Sequence, residues 1–170
     1  SMVTLYYTRR YQKYLLELFA NVDFEAVQLS SEVAGLLEAI NTTLIDHQQL
    51  LKGKFSDAQR KQVLDSLGQA ASDYREGIYD NAFSGERRAI KVSDLVQFLE
   101  ISIAYIDHTI EANRRNDGLY HAYNLMTATD TGVEITYLYE MLEGQVAVLS
   151  SGYLNPEQAL EVLTALRQSA

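Results

Sequence analysis

Apolar positions recur every three or four residues along most of this chain, the pattern of helices that turn one face to a core. From about Tyr6 to Ala20 the stripe is Tyr7, Tyr11, Tyr14, Leu15, Leu18 and Phe19, and Asn21 to Asp23 supplies a turn. A longer run then places Val33, Leu36, Leu37, Ile40, Leu44 and Leu51 on one side. Gly53 suits the position just past its end, because glycine tolerates positive φ. Together these two segments predict a helical hairpin.

A third helix opens at Ser56, with Gln59 three residues on completing a capping box and Asp57 at the positive end of the helix dipole. Its stripe is Val63, Leu64, Leu67, Ala71, Tyr74 and Ile78, and it is expected to stop before Ser84-Gly85. Glu86 to Val92 reads as a basic, irregular stretch, after which Ser93 caps a fourth helix running to about Asn113. Leu95, Phe98, Leu99, Ile103, Ile106 and Ile110 form its main face. Ile101 and Tyr105 widen that face, so this helix is expected to pack on more than one side.

Residues 113–133 lack helical periodicity and carry turn signals at Asn116-Asp117-Gly118 and Thr131-Gly132. Beyond them Ile135, Leu138, Tyr139, Leu142, Val146 and Leu149 predict a further helix, ended by Gly152. The last helix opens with Asn155 as N-cap, Pro156 at N1 and Gln158 at N3, and its stripe is Leu160, Leu163 and Leu166. No strand pattern competes. The expectation is an all-α fold of six or seven helices in antiparallel hairpins, a bundle or a partial α/α toroid, forming one domain over residues 1–170. A short echo, Ile40 with Ile45-Asp46-His47 against Ile101 with Ile106-Asp107-His108, is too small to establish a repeat.

Composition narrows the function more than the fold. With 47% hydrophobic and 22% charged residues, the chain is apolar enough to fold on its own. It has no cysteine, which excludes disulfides, thiolate metal sites and cysteine nucleophiles. A net charge of −9 with scattered arginine pairs opposes a nucleic-acid surface. No apolar run approaches the roughly 20 residues of a membrane span. A soluble protein is expected, with the cytoplasm preferred over export. Ser1-Met2 reads as the remnant of a cleaved expression tag, and the last stripe runs to the C-terminus without a stop signal. Both favour a piece of a longer protein, whose remainder is then its first partner.

Chemistry concentrates in one loop. His47 lies on an apolar stripe and reads as a satisfied core histidine, and His108 lies at the flank of its helix. His121 instead sits in Asn113-Arg114-Arg115-Asn116-Asp117-Gly118-Leu119-Tyr120-His121-Ala122-Tyr123-Asn124. Arg115, Asp117, Tyr120, His121, Tyr123 and Asn124 suit a polyol, since aromatic faces stack on sugar rings while Asn, Asp and Arg bond hydroxyls. The competing reading is that Asn116-Asp117-Gly118 is only a turn and the tyrosines only pack. Glu140 and Glu143, one helical turn apart, read as a solvated face rather than a glycosidase pair. The chain carries no Gly-rich phosphate loop, no zinc or calcium motif and no serine-nucleophile motif, so no cofactor, metal or catalytic residue is assigned.

Residues 113–124, with Tyr139-Glu140-Met141-Leu142-Glu143-Gly144-Gln145, resemble parts of large bacterial carbohydrate-active proteins of the cellobiose-phosphorylase-like, six-hairpin (α/α) toroid type. The resemblance covers the last third of the chain. It implies hairpins in a ring with saccharide-binding loops at one end. The family's Asp-rich catalytic signature and its neighbouring Trp are absent, so the resemblance carries over no catalytic residue. Two functions are therefore expected to compete: a helical domain of a larger carbohydrate-associated bacterial protein touching saccharide through the loop, or an interaction or scaffold module with no small-molecule site.

Overall fold

A computed structural model describes residues 1–169. Among them are six α-helices and four short strands: α1 Met2–Phe19, β1 Ala26–Ser30, α2 Ser31–Asp46, α3 Asp57–Asn81, β2 Arg87–Lys91, α4 Val92–Ala112, β3 Asn124–Ala128, β4 Val133–Tyr137, α5 Leu142–Ser150 and α6 Pro156–Gln168. The fold is mostly helical but not all-α, because β1 pairs with β2 and β3 with β4 in two two-stranded sheets. No ring of helix hairpins is seen among the described residues. None of their helices is long and apolar enough to cross a membrane. The chain forms two compact units, one of residues 1–15, 103–127 and 134–170, the other of residues 16–102 and 128–133.

In the first unit Met2, Tyr6, Ile106, Ile110, Leu119, Tyr120, Ala147, Val148 and Val162 form one buried cluster. Each large apolar side chain so buried contributes roughly 1.5–3 kcal/mol. The inward face of α1 is Met2, Tyr6 and Arg9, spaced as successive helical turns require. This corrects the expected stripe, because Tyr7, Tyr11, Tyr14 and Leu18 are exposed. Arg9 sets the rotation of the helix. Buried to 6% exposure, it gives Nε and Nη2 to the two carboxylate oxygens of Asp107 at 2.5 and 3.2 Å, and Nη1 to the carbonyl of Ser151 at 3.1 Å. Its guanidinium also lies 5.4 Å from the Tyr153 ring centre. At the start of α1 the orphan amides of Met2 and Val3 donate to the Ala122 carbonyl.

In the second unit α2 packs on α3 and β1 runs antiparallel to β2, with Val27 opposite Ile90 and Ser30 opposite Arg87. The stretch 86–92, expected to be irregular, is thus largely a strand. The amides of Ser31 and Val92 extend its ladder to the carbonyls of Glu86 and Glu25. α4 consequently starts at Val92, directly after β2 and one residue ahead of the expected Ser93 cap. Ser30 caps α2, its Oγ accepting from the Val33 amide, and an Arg88–Glu38 ion pair joins β2 to α2.

The expected long second helix breaks at His47, whose amide and Nδ1 both turn to the Thr43 carbonyl. A 3₁₀ turn over Gln48–Lys52 follows, and Gly53 ends it in extended rather than left-handed backbone. The capping box of Ser56 and Gln59 forms as expected. α3 closes at Ala82, whose φ of 56° with ψ of −170° is a strained pair for a residue with a Cβ. The tip of the β3–β4 hairpin rests on the start of α3. Gly132 has no Cβ because one would lie 3.0 Å from that of Asp57, and Arg60 donates to the Val133 carbonyl at 2.8 Å.

The helix expected from Ile135 is corrected as well. Val133–Tyr137 is strand, and α5 begins only at Leu142. The last helix opens on a full capping box of Asn155 and Gln158 with Pro156 in its first turn, as expected.

Replacing Arg9 with Met is predicted to destabilise the protein by about 3 kcal/mol in urea unfolding, because the Asp107 carboxylate loses its cation while the Ser151 carbonyl loses a donor. The exposed neighbour Arg10→Met should change stability by less than about 0.5 kcal/mol. Equal effects at the two positions would show that α1 is rotated differently.

Candidate functional site

The loop after α4 is built from short-range bonds. Asn113 and Arg114 donate to the carbonyls of Ile110 and Glu111, tightening the last turn of the helix. The Arg115 amide then meets the Leu119 carbonyl at 2.8 Å and the Gly118 amide meets the Arg115 carbonyl at 3.2 Å, closing a tight turn. Gly118 sits at φ +83°, which only glycine adopts cheaply. Asp117 accepts from the Leu119 amide at 3.1 Å through Oδ1. Asn116-Asp117-Gly118 is thus a turn, and it aims one carboxylate at one guanidinium.

Arg115 donates to Asp117 from Nε at 3.0 and 3.1 Å and from Nη2 at 2.6 Å, and it also pairs with Glu140. The Arg115 hydrogen bond holds Asp117 below the usual carboxylate range. Glu140 is held low by its own backbone hydrogen bond and then by Arg115. Both carboxyls therefore stay ionised, and neither is the raised-pKa acid that glycoside hydrolysis requires. A pocket of about 390 Å³ adjoins this cluster, lined by Arg115, Asp117, Leu119, Glu140, Leu142 and Leu166 among others.

The structure separates the six residues expected to act together. Arg115 and Asp117 line the pocket. Tyr120 does not, being 2% exposed and part of the core. Its backbone is clamped by Gln145, whose Oε1 accepts from the Tyr120 amide at 2.9 Å and whose Nε2 donates to the Tyr120 carbonyl at 2.7 Å. His121 stacks on Tyr137, with ring centres 3.8 Å apart and planes 8° from parallel. Tyr123 hydrogen-bonds Glu143, which raises the pKa of its phenol. Asn124 donates to Asn113 Oδ1 at 2.8 Å, and Asn113 donates on to the Thr109 carbonyl at 2.7 Å.

Tyr120, His121 and Tyr123 are thus engaged within the protein, and none of them is among the described residues that line the pocket. Glu140 and Glu143, expected one turn apart on a helix, part company. Glu140 precedes α5 and joins Arg115, whereas Glu143 lies in the first turn of α5 and meets Tyr123. Sequence reasoning missed Glu140 as the partner of Arg115 and Gln145 as the clamp. Nothing in the local pattern joins positions 25 residues apart in sequence. No protein-family model and no curated protein matches this chain.

Burial, then the Arg115 charge, lowers the His121 pKa against the opposing pull of Asp117 and Glu140. The unfolded imidazole takes its proton near 6.5 and the folded one at lower pH, so the unfolded state binds more protons just below 6.5. Stability is accordingly predicted to fall as pH drops through that window, and His121→Gln should flatten the fall. An NMR titration should place the His121 midpoint below 6.5; a midpoint at or above that value contradicts the assignment.

Proposed function

We propose that this chain is a protein-interaction module with α1 as its contact helix. The observation that carries this reading is the exposure of Tyr7, Tyr11 and Tyr14, at 46%, 61% and 59%, in a row opposite the buried Met2, Tyr6 and Arg9. A helix that fixes one face in a core and leaves three tyrosines in water on the other holds a surface suited to a partner. Tyrosine is enriched at binding hot spots because it offers a large, rigid area with a polar tip. A photocrosslinking residue at Tyr11 is expected to give discrete protein adducts in cells. The same residue at the exposed Thr42 of α2 should give none. Equal labelling at both positions would sink the reading.

A second reading rests on the pocket beside Arg115. Asp117 and Glu140 accept hydroxyl hydrogens there, and Leu119, Leu142 and Leu166 offer a wall for C–H faces. That combination suits a small saccharide, with the chain as part of a larger carbohydrate-associated bacterial protein. NMR titration with an oligosaccharide panel should shift the Leu119 and Gln145 amides, and Glu140→Gln should weaken binding roughly tenfold. Amides unmoved at millimolar sugar would remove this reading.

A further inference from the structure

We infer that the partner of α1 is a second copy of this chain, bound by antiparallel pairing of the two α1 helices about a two-fold axis. This rests on the reading of α1 as an interaction face and names its occupant. The exposed row is not only aromatic; it is a heptad. Tyr7, Tyr11, Tyr14 and Leu18 follow one another at steps of four, three and four residues, the spacing of the a and d positions that form a coiled-coil seam. All four lie on one uninterrupted helix and are between 46% and 61% exposed.

The charges flanking the seam choose the partner and its direction. With Tyr11 and Leu18 at a, the g positions are Arg10 and Glu17, while Thr8 and Leu15 occupy e. Arg10 and Glu17 are exposed, and neither forms an ion pair with another described residue. In a parallel pair, g faces e of the partner, so Arg10 meets Leu15 and the charges find no match. In an antiparallel pair, a layers on d and g faces g.

Tyr11 then layers on Tyr14 of the second copy and Tyr7 on its Leu18. In that same register Arg10 of each copy faces Glu17 of the other, giving two symmetry-related ion pairs, while Thr8 faces Leu15 without charge conflict. One helix thus supplies both halves of a self-complementary interface. In this register residues 6–19 of the two helices face each other, an overlap of roughly 21 Å. The exposed tyrosine and leucine area covered is on the order of 1,000 Å² across both copies, the lower limit for a specific interface. An interface of this size belongs with the weak, reversible ones.

Sedimentation velocity from low to high micromolar concentration tests this on the whole chain. The parent protein should shift reversibly from monomer to dimer. Tyr11→Lys should remain monomeric with an unchanged circular dichroism spectrum, since Tyr11 lies outside the core. Arg10→Glu and Glu17→Arg should each weaken the dimer roughly tenfold. The double variant Arg10→Glu/Glu17→Arg, and an equimolar mixture of the two singles, should restore it. A protein monomeric throughout, or a dimer indifferent to the charge reversals, overturns the proposal. If the chain stays monomeric while a crosslinker at Tyr11 captures a different protein, the second copy is excluded and the interaction reading stands.

Discussion

The bidentate bond from Arg9 to Asp107, completed by the Ser151 carbonyl, fixes which side of α1 is inside. An arginine with 6% exposure is costly to bury unless every donor is directed at an acceptor, and here one guanidinium holds α4 and the turn after α5 at once. Once Arg9 points inward, Tyr6 and Met2 follow it on successive turns. Tyr6 is desolvated enough to raise its phenol pKa and donates its hydroxyl to the His121 carbonyl at 3.2 Å. The tyrosines on the other side are left in water by the same rotation.

A second polar clamp explains why the loop looks different in space than in sequence. Gln145, 1% exposed, bonds both backbone groups of Tyr120 and draws that tyrosine into the core. Gly144 beside it permits the approach, because a Cβ there would lie 2.9 Å from that of Ala122. The amide chain from Asn124 through Asn113 to Thr109 fastens the next part of the loop to α4. Side chains that as a list suit sugar binding serve here as struts, and Arg115 with its two carboxylates is the part that stays at the surface pocket.

What the sequence disclosed was local. The capping boxes at Ser56 and Asn155 need only four neighbouring residues, and both formed. The α4 stripe was legible because Leu99, Ile103, Ile106 and Ile110 are long, regular and all buried. The strands were not. β1 and β2 show too little alternation over five residues and gain meaning only from each other across the sequence. Val133, Ile135 and Tyr137 do alternate with Glu134 and Thr136 as a strand requires, but the longer helical stripe that starts at Ile135 masks this five-residue signal. On α1, aromatic residues surround the helix, so two apolar faces competed, and a buried arginine decided between them. Sequence patterns count arginine as exposed, so they favour the tyrosine face over the one that carries Arg9.

The division of α1 into a core face and a free face is most directly tested by nitrating tyrosines on dilute protein and mapping the modified peptides by mass spectrometry. Rapid modification of Tyr7, Tyr11 and Tyr14 is expected, with protection of Tyr6 and Tyr120, both deeply buried. Modification of Tyr6 with protection of Tyr11 and Tyr14 would contradict it, for α1 would then be turned the other way.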